Sequence, residues 1–284
     1  MAIARHGSGV DAAVRALASQ VHPVFMLPPL AASAFGAVLA RDFSLALALL
    51  HLAAAFFGLY TAHVKDGYVD FYGRGEDDDH PLSERGCRLA LAGASACFFV
   101  LLGVIGLLVG PIAALLTLPG WLIGYFHAPQ LDMHPVSATA GYPTGIGLAL
   151  LGGYYVQTRT LSPTVLAFAA VFVVVLSGIK VIDDAKDYDY DRSISKRTVA
   201  VVLGRRRARE AAYGLMVAGM LAVALLALFT PIFPPSSVLA AAAFGAVALL
   251  ARPMDSALAT MVLIRGSYVF LALLIAAVWF RPLG

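Results

Sequence analysis

Two short stretches of the chain hold most of its acidic side chains. Twelve of the 17 Asp and Glu residues lie in residues 66–84 and 183–191. An interval of four residues recurs within both stretches, at Asp66 and Asp70 and again at Asp183, Asp187 and Asp191. Carboxylates with this spacing share one face of a helix, where they repel each other by about 0.2–0.5 kcal/mol per pair. Each row is therefore expected to hold a cation.

Two kinds of cation would fit these carboxylates. Basic side chains within the second stretch, such as Lys186 and Arg192, would balance an ordinary solvated loop. A divalent metal is the more specific alternative, because Mg²⁺ prefers oxygen ligands and usually joins one or two carboxylates to the phosphates of a substrate. Two rows that carry Mg²⁺ would grip a diphosphate and neutralise the charge that develops as it leaves. The recurrence of the pattern favours the metal.

The rest of the chain has the composition of a polytopic membrane protein. Of its 284 residues, 60% are hydrophobic and 13% are charged, and the mean hydropathy is +0.83. A soluble domain carries about 25% charged residues. Charged residues are absent from five long windows, 43–64, 89–131, 133–158, 160–179 and 211–251. Because a bilayer needs about 20 apolar residues per helix, we predict an all-α membrane fold. Nucleic acid is not an expected partner, since the basic residues flank the apolar stretches.

Proline, glycine and charge divide the apolar stretches into predicted transmembrane helices. There are nine of them, at about 21–40, 44–62, 88–108, 111–127, 139–157, 163–181, 210–230, 237–251 and 258–280. The acidic stretches follow the second and the sixth, so the same event recurs four helices later. This spacing predicts an internal repeat, about 21–127 and 139–251, within a single domain that spans residues 1–284.

The basic residues predict the orientation of these helices. With a cytoplasmic N-terminus, 16 of the 20 Lys and Arg residues lie on the cytoplasmic side. Loops on that side normally carry the excess of Lys and Arg. We therefore expect an integral protein of the plasma membrane, with both acidic stretches on the cytoplasmic side and membrane lipid as a constant partner.

At the acidic stretches the sequence resembles the UbiA superfamily of intramembrane prenyltransferases. The segment "DDAKDYDYDRSISKRTVAVVLGRRRAR" (183–209) is similar to the family's second Asp-rich motif and its tail. The segments "DGYVDFYGRGED" (66–77) and "GYYVQTRTLSP" (153–163) resemble the branch that prenylates a naphthoate to make menaquinone precursors. The resemblance covers nearly the whole chain. It implies nine transmembrane helices, Asp-rich motifs after helices 2 and 6, and a cap that encloses a polyprenyl diphosphate.

The resemblance also implies Mg²⁺ as the cofactor and a set of acidic ligands. These ligands are Asp66, Asp70, Asp77, Asp183, Asp187 and Asp191. The implied catalytic pairs among them are Asp66 with Asp70 and Asp187 with Asp191. Alternatives stay open in both motifs. Aligned on Asp70, the first motif opens at Ala62 or Asp66, and its third acidic ligand is Glu76, Asp77 or Asp78. The residue upstream of the second motif is Asp183 or Asp184.

Three groups of side chains are expected to contact substrate. The basic residues expected to bind diphosphate are Lys65, Arg74, Lys186, Arg192, Lys196 and Arg197. The rings of Tyr68, Tyr125 and Tyr155 would stabilise an allylic carbocation. His127 and Asp132 lie after the fourth predicted helix, in a segment without Lys or Arg, and would bind the acceptor or take its proton.

The expected reaction is transfer of a prenyl group from an allylic polyprenyl diphosphate to a hydrophobic acceptor, with a quinone-type aromatic ring as the leading candidate. Two alternatives use the same fold: a terpene cyclase, in which the cation is captured by its own chain, and prenyl transfer to a lipid headgroup. A secondary transporter is less favoured. Transporters place ionisable groups near the bilayer midplane, whereas the predicted helices between the two acidic stretches are almost free of charge.

Overall fold

Capping residues and prolines define where the helices of this chain begin. The structure is a computed structural model that describes residues 3–40 and 42–282. Ser44, Ser83 and Ser162 each precede a helix and accept a hydrogen bond from a backbone N–H of its first turn. Such caps satisfy N–H groups that have no partner inside the helix. Pro23 and Pro111 occupy first helical positions, where a missing N–H costs nothing.

The contacts of the chain divide it into two compact units. The first comprises Met1–Leu131 and Gly145–Leu161, and the second comprises Asp132–Thr144 and Ser162–Gly284. The helices of the first unit are α1 (Gly9–Ala18), α2 (Pro23–Leu39), α3 (Leu45–Tyr68), α4 (Glu84–Leu108) and α5 (Pro111–Phe126). Helix α6 (Pro135–Thr158) contributes residues to both units. The helices of the second unit are α7 (Pro163–Asp184), α8 (Tyr188–Ser193), α9 (Val199–Leu203), α10 (Arg205–Phe229), α11 (Ser237–Ala251) and α12 (Ser256–Phe280).

The predicted all-α fold is confirmed. Besides the α-helices there are two π-helical turns, Val69–Arg74 and His127–Leu131. The β-structure in the described part of the chain is one isolated antiparallel bridge between Ala4 and Leu82. Neither π turn was predicted, because a π turn has no distinctive residue pattern.

Each of the nine predicted transmembrane segments coincides with a helix, namely α2 to α7 and α10 to α12. Within the described ranges, six helices are long and apolar enough to cross a membrane, and the bent pair of α1 and α2 raises the number to seven. Helix α11 has only 15 residues. The protein is therefore an integral membrane protein, whereas nine crossings remain a prediction. Outward-facing apolar side chains such as Leu107 and Phe229 agree with contact to lipid.

Small residues allow close helix crossings inside each unit. A Cβ on Gly36 would lie 2.0 Å from the carbonyl oxygen of Leu150, and one on Gly153 would lie 2.0 Å from that of Ser33. In the second unit, a Cβ on Gly178 would lie 2.6 Å from the carbonyl oxygen of Ala212. Close backbone approach of this kind is the usual way in which membrane helices associate. The crossings of the first unit join α2 to α6, and that of the second unit joins α10 to α7, the helix that leads into the second acidic segment.

Candidate functional site

The first acidic segment is an extension of helix α3. The helix continues without a break into the π turn Val69–Arg74, so Asp66 and Asp70 lie on one helix, as their spacing predicted. Arg74 Nη1 lies 3.2 Å from Asp70 Oδ1, and both side chains are largely buried. A basic side chain, predicted as a diphosphate-binding residue, therefore pairs with this row in the structure.

Gly75 turns the chain back over this helix. It adopts a left-handed conformation with φ of 62°, and its N–H donates to the carbonyl oxygen of Asp70. The N–H of Glu76 donates to the same oxygen at 2.8 Å. The reversal brings Glu76 and Asp77 close enough to act electrostatically on the Asp70 carboxylate, together with Asp66. Two of the carboxylates predicted for the first motif, Asp66 and Asp77, therefore both act on the third, Asp70.

Three predicted substrate-binding residues meet beside this segment. Lys65 Nζ lies 5.4 Å from the ring centroid of Tyr125 and 6.0 Å from that of Tyr68. Both distances are within the range of cation–π attraction. His127 begins the second π turn and acts electrostatically on His63. The aromatic faces of Tyr68 and Tyr125 can thus bind a cation.

Tyr155 lies elsewhere in the first unit. It is buried in an apolar cluster with Ile105, Val109 and Ala113, around the turn between α4 and α5. The first acidic segment adjoins the opposite end of α4, where Tyr68 donates a hydrogen bond to Glu84. The structure therefore does not bring Tyr155 together with Lys65 and Tyr68. Its surroundings are those of a packing residue, and its predicted contact with substrate stays a prediction.

A contact that sequence analysis missed holds the loop after the first acidic segment. Arg5 Nη1 lies 3.0 Å from Asp79 Oδ1 and the Arg5 guanidinium carbon lies 4.4 Å from the centroid of the Phe71 ring. His6 Nε2 lies 2.8 Å from the same Asp79 oxygen. The next residue, His80, is buried against Gly67, where an added Cβ would lie 2.7 Å from His80 Nε2. No local signal predicts a pairing across more than 70 residues.

The second acidic segment is broken, which corrects the prediction of a single helical row at Asp183, Asp187 and Asp191. Helix α7 ends at Asp184, a turn follows, and Asp187 is the N-cap of α8. The N–H groups of Lys186 and Asp187 donate to the carbonyl oxygens of Asp183 and Asp184 in that turn. Carboxylates are unfavourable at the negative end of a helix, so a stop at this point has a physical cause.

Lysine side chains pair with the carboxylates at the end of α7. Lys180 binds Asp184 and lies 3.5 Å from Asp183, and Lys186 binds Asp183 from the other side. Asp184 is buried, and its Oδ2 has no hydrogen-bond partner among the described residues. Sequence analysis did not single out Lys180. Its spacing of three and four residues from the two aspartates was the available signal.

Asp132, Asp191 and Lys196 come together in the second unit. Lys196 Nζ lies 3.5 Å from Asp191 Oδ1 and 3.9 Å from Asp132 Oδ2. The two aspartates are only 2% and 4% exposed. Burial raises the pKa of the Asp191 carboxyl above its usual value, and the nearby Lys196 ammonium opposes that shift. Asp191 and Lys196 had been predicted to bind the metal and the diphosphate of the prenyl donor, and Asp132 to bind the prenyl acceptor. The structure brings these three residues together.

The remaining predicted residues of the second segment face outward. Asp187, Lys186, Arg192 and Arg197 are exposed. Exposure leaves these side chains able to reach a ligand that arrives from outside the helices. Asp189, which was not a predicted ligand, pairs with Arg205 at 2.7 Å.

The donor set fits a hard divalent cation, although no metal cage is pre-formed. Within residues 3–40 and 42–282, no three His, Cys, Asp or Glu side chains are grouped closely enough to hold a metal ion. Mg²⁺ usually takes only one or two protein carboxylates and fills its other positions with phosphate oxygens and water. The donors present are carboxylate oxygens, and among the residues that the structure describes the buried Asp184 Oδ2 atom has no hydrogen-bond partner.

Comparison with known proteins assigns the family. Residues 80–274 match the UbiA prenyltransferase family, a match that contains the second acidic segment and begins within the last residues of the first. No curated protein matches the chain in sequence.

Solved structures share the fold across nearly the full length. A UbiA homologue from Archaeoglobus fulgidus bound to GPP and Mg²⁺ has 15% identity and a TM-score of 0.66, covering 92% of this chain and 99% of that one. A digeranylgeranylglyceryl phosphate synthase has 14% identity and a TM-score of 0.71, covering 94% and 99%. The apo UbiA homologue from Aeropyrum pernix K1 has 19% identity and a TM-score of 0.65, covering 90% and 97%.

The expected family and enzyme class are thereby confirmed. The family match spans more than half of the chain, and the all-helical membrane fold agrees with it. The chain belongs to the UbiA prenyltransferase family, whose members transfer prenyl groups.

Proposed function

We propose that the protein is a Mg²⁺-dependent enzyme that ionises an allylic polyprenyl diphosphate and transfers the prenyl group to a quinone-type aromatic acceptor. The observation that carries this proposal is the pair of acidic segments, each of which combines carboxylates with Lys or Arg. The structural relatives support the donor and the metal, since the Archaeoglobus fulgidus homologue has been solved with GPP and Mg²⁺ and also with DMAPP and Mg²⁺.

Six carboxylates are proposed to hold Mg²⁺ and, through it, the diphosphate of the donor. They are Asp66, Asp70 and Asp77 in the first segment and Asp183, Asp187 and Asp191 in the second. Bound Mg²⁺ supplies positive charge that stabilises the leaving diphosphate.

Several of these carboxylates are paired with basic side chains in the structure. Arg74 binds Asp70, Lys186 binds Asp183 and Lys196 lies near Asp191. Binding of Mg²⁺ to a carboxylate would free its Lys or Arg partner to donate hydrogen bonds to phosphate oxygens. The exposed Arg192 and Arg197 would add further donors. The segments thus exchange internal ion pairs for contacts with the substrate.

The rings beside Lys65 are proposed to face the allylic cation. Tyr68 and Tyr125 already lie at cation–π distances from the Lys65 ammonium. A carbocation left by the departing diphosphate would gain the same attraction. An apolar surrounding would keep water from capturing the cation before the acceptor does.

The acceptor is proposed to be a dihydroxynaphthoate-type ring. The support is the resemblance of residues 66–77 and 153–163 to the naphthoate-prenylating branch. Attack of an aromatic carbon on the cation forms a C–C bond, and the ring must then lose a proton to a base. Asp132, held near Lys196, is the proposed base, and His127 is proposed to bind the acceptor.

A lipid-headgroup acceptor is the second candidate. One structural relative is a digeranylgeranylglyceryl phosphate synthase, with a TM-score of 0.71. The segment that contains His127 and Asp132 lacks Lys and Arg, which leaves both acceptors open. For either acceptor we propose that the N-terminus and both acidic segments are cytoplasmic and that the membrane is the plasma membrane.

The test is turnover by the purified protein in nanodiscs. Geranyl diphosphate and Mg²⁺ are supplied alone, with 1,4-dihydroxy-2-naphthoate, or with an isoprenyl glyceryl phosphate, and product masses are read. A naphthoate adduct is expected. A glycerol adduct would replace the aromatic acceptor with a lipid one, and a hydrocarbon alone would indicate a cyclase. Absence of diphosphate release from any mixture would overturn the proposal.

A matched pair of variants tests the metal site. Asp187→Asn should lower the rate of diphosphate release, because it removes a proposed ligand, while Asp189→Asn should retain the wild-type rate. Asp189 lies two residues away on α8 and pairs with Arg205. Full turnover by Asp187→Asn would remove this residue from the proposed site.

A further inference from the structure

A cavity lined by charged side chains lies in the second unit. Its volume is about 1030 Å³. It is bordered by the last turn of α7, the first turns of α10 and α12, and the turn between α11 and α12. Five basic side chains line it: Lys186, Arg205, Arg206, Arg209 and Arg252. Apart from Lys186, these residues belong to neither acidic segment.

The charge of this cavity is not fully balanced. Its carboxylates are Glu210, which pairs with Arg206 at 3.1 Å, and Asp255, which caps α12 by accepting from the Leu258 N–H at 2.9 Å. Lys186 and Arg205 pair with carboxylates of the acidic segment, Asp183 and Asp189. These pairs account for three of the five basic side chains and leave Arg209 and Arg252.

Arg209 and Arg252 provide the uncompensated charge. Arg209 donates to three backbone carbonyl oxygens, those of Ala251, Arg252 and Met254, and it pairs with no carboxylate in the described part of the chain. The exposed guanidinium of Arg252 makes no ion pair or hydrogen bond within the described ranges. The cavity therefore favours an anion, and guanidinium groups bind phosphate oxygens especially well.

Tyr213 adds a hydrogen-bond donor below the arginines. Arg205, Arg209 and Tyr213 follow each other at intervals of four residues, on one face of α10. The Tyr213 hydroxyl is buried and has no hydrogen-bond partner among the described residues. Buried hydroxyls are nearly always paired, so this one points to a ligand oxygen.

The cavity also lies at a membrane boundary. It is lined by the last turn of one candidate span, Pro163–Asp184, and by the first turns of two others, Arg205–Phe229 and Ser256–Phe280. Ala257 lines it, and Met261, which is 49% exposed, lies one turn deeper on the same face of α12. An apolar chain can therefore run from the cavity along α12 into the bilayer.

From this geometry we propose that the cavity binds the phosphate headgroup of an anionic phospholipid, with the acyl chains along α12. Basic pockets between membrane helices at a headgroup surface are suited to such lipids. The lipid phosphate would contact Arg252 and the Tyr213 hydroxyl. A soluble phosphate shares the headgroup chemistry but would leave the exposed apolar face beside the cavity uncovered.

Native mass spectrometry of the full chain tests this site without donor or acceptor, so it is independent of the proposed reaction. The protein is released from micelles that contain equal amounts of phosphatidylglycerol and phosphatidylcholine. The wild-type chain should retain phosphatidylglycerol selectively. Arg252→Gln and the conservative Tyr213→Phe should each lower retention by at least about fivefold. Arg207→Gln is the matched control, since it removes the same charge from α10 outside the cavity lining.

The outcomes separate the sources of the phosphate. An equal loss in Arg207→Gln, or equal retention of phosphatidylcholine, would reduce the effect to general surface charge and overturn the proposal. Inorganic pyrophosphate without Mg²⁺ is added in a second arm and should not displace the lipid. Displacement of phosphatidylglycerol by pyrophosphate would identify a soluble anion as the ligand, which also contradicts the proposal.

Discussion

The two acidic segments look alike in sequence and differ in the structure. In the first, one helix runs unbroken through a π turn, and Asp66, Glu76 and Asp77 crowd Asp70 against a single partner, Arg74. In the second, the helix stops, and lysines contact each group of aspartates. The first segment therefore carries unbalanced negative charge, whereas the second is largely neutralised by its own side chains.

This difference indicates a division of labour. A crowded group of carboxylates gains most from a metal ion, because the guanidinium of Arg74 offsets only part of the repulsion within it. Carboxylates that already pair with lysines gain less from a metal ion. They do, however, position ammonium groups that can bind the phosphate oxygens of the substrate. We therefore expect the first segment to depend more strongly on Mg²⁺ and the second to contribute more to diphosphate binding.

The largest effect is expected from Asp70→Asn. Removal of the central carboxylate from the first segment should lower the rate of diphosphate release by about 10²–10³-fold, since the amide cannot replace a charged metal ligand. The rate is measured at saturating Mg²⁺, with Asp11→Asn as a control because Asp11 pairs with Arg15 on α1. A wild-type rate in Asp70→Asn would erase the contrast between the segments.

A large effect on stability is expected in the second segment. Lys180→Met leaves the buried Asp184 without its partner and should lower the free energy of unfolding by about 3 kcal/mol. Lys186→Met, at an exposed position, should cost less than about 1 kcal/mol. Titration with SDS from bicelles measures both values.

The double variant Lys180→Met/Asp184→Asn sharpens that result. Because it removes both charges, it should recover much of the stability lost in Lys180→Met. Equal free energies of unfolding for Lys180→Met and Lys186→Met would mean that the buried pair stabilises the second segment no more than the exposed pair does.

A moderate effect is expected from Gly75→Ala. The left-handed conformation at Gly75 costs a side-chain-bearing residue about 1–2 kcal/mol. Strain there should loosen the reversal that brings Glu76 and Asp77 to Asp70, so the Mg²⁺ concentration at half-maximal rate should rise. Gly73→Ala is the control, because Gly73 has no positive φ and its nearest neighbour would lie 3.8 Å from a new Cβ. An unchanged Mg²⁺ requirement in Gly75→Ala would remove the reversal from the metal site.

The smallest effect is expected from Arg5→Ala. The pair of Arg5 with Asp79 is exposed, and exposed ion pairs contribute little. The Mg²⁺ requirement should rise by less than about threefold, without a change in the maximal rate. An effect larger than that of Gly75→Ala would show that the N-terminal segment governs the first acidic segment more than the glycine reversal does.

The helical elements were predictable because apolar runs of membrane length and the breakers between them are local features. The pairings of Lys196 with Asp132 and of Lys65 with Tyr125 brought together residues that had been singled out individually. The break after Asp184 was not foreseen, since the four-residue spacing is compatible with a continuous helix. The π turn, the contact of Arg5 with Asp79 and the packing of Tyr155 depend on tertiary contacts that no local pattern encodes.

The three carbonyl contacts of Arg209 have a consequence for how the chain assembles. These oxygens lie at the end of α11 and in the turn into α12. The hairpin formed by α11 and α12 is therefore held by hydrogen bonds from a side chain of α10. In the low-dielectric membrane boundary, unpaired carbonyls are costly until that guanidinium arrives. The terminal hairpin can therefore reach its final form only after α10 is inserted. All three contacts use one nitrogen, Nη2, so the loss of this single side chain would release three carbonyl oxygens at once.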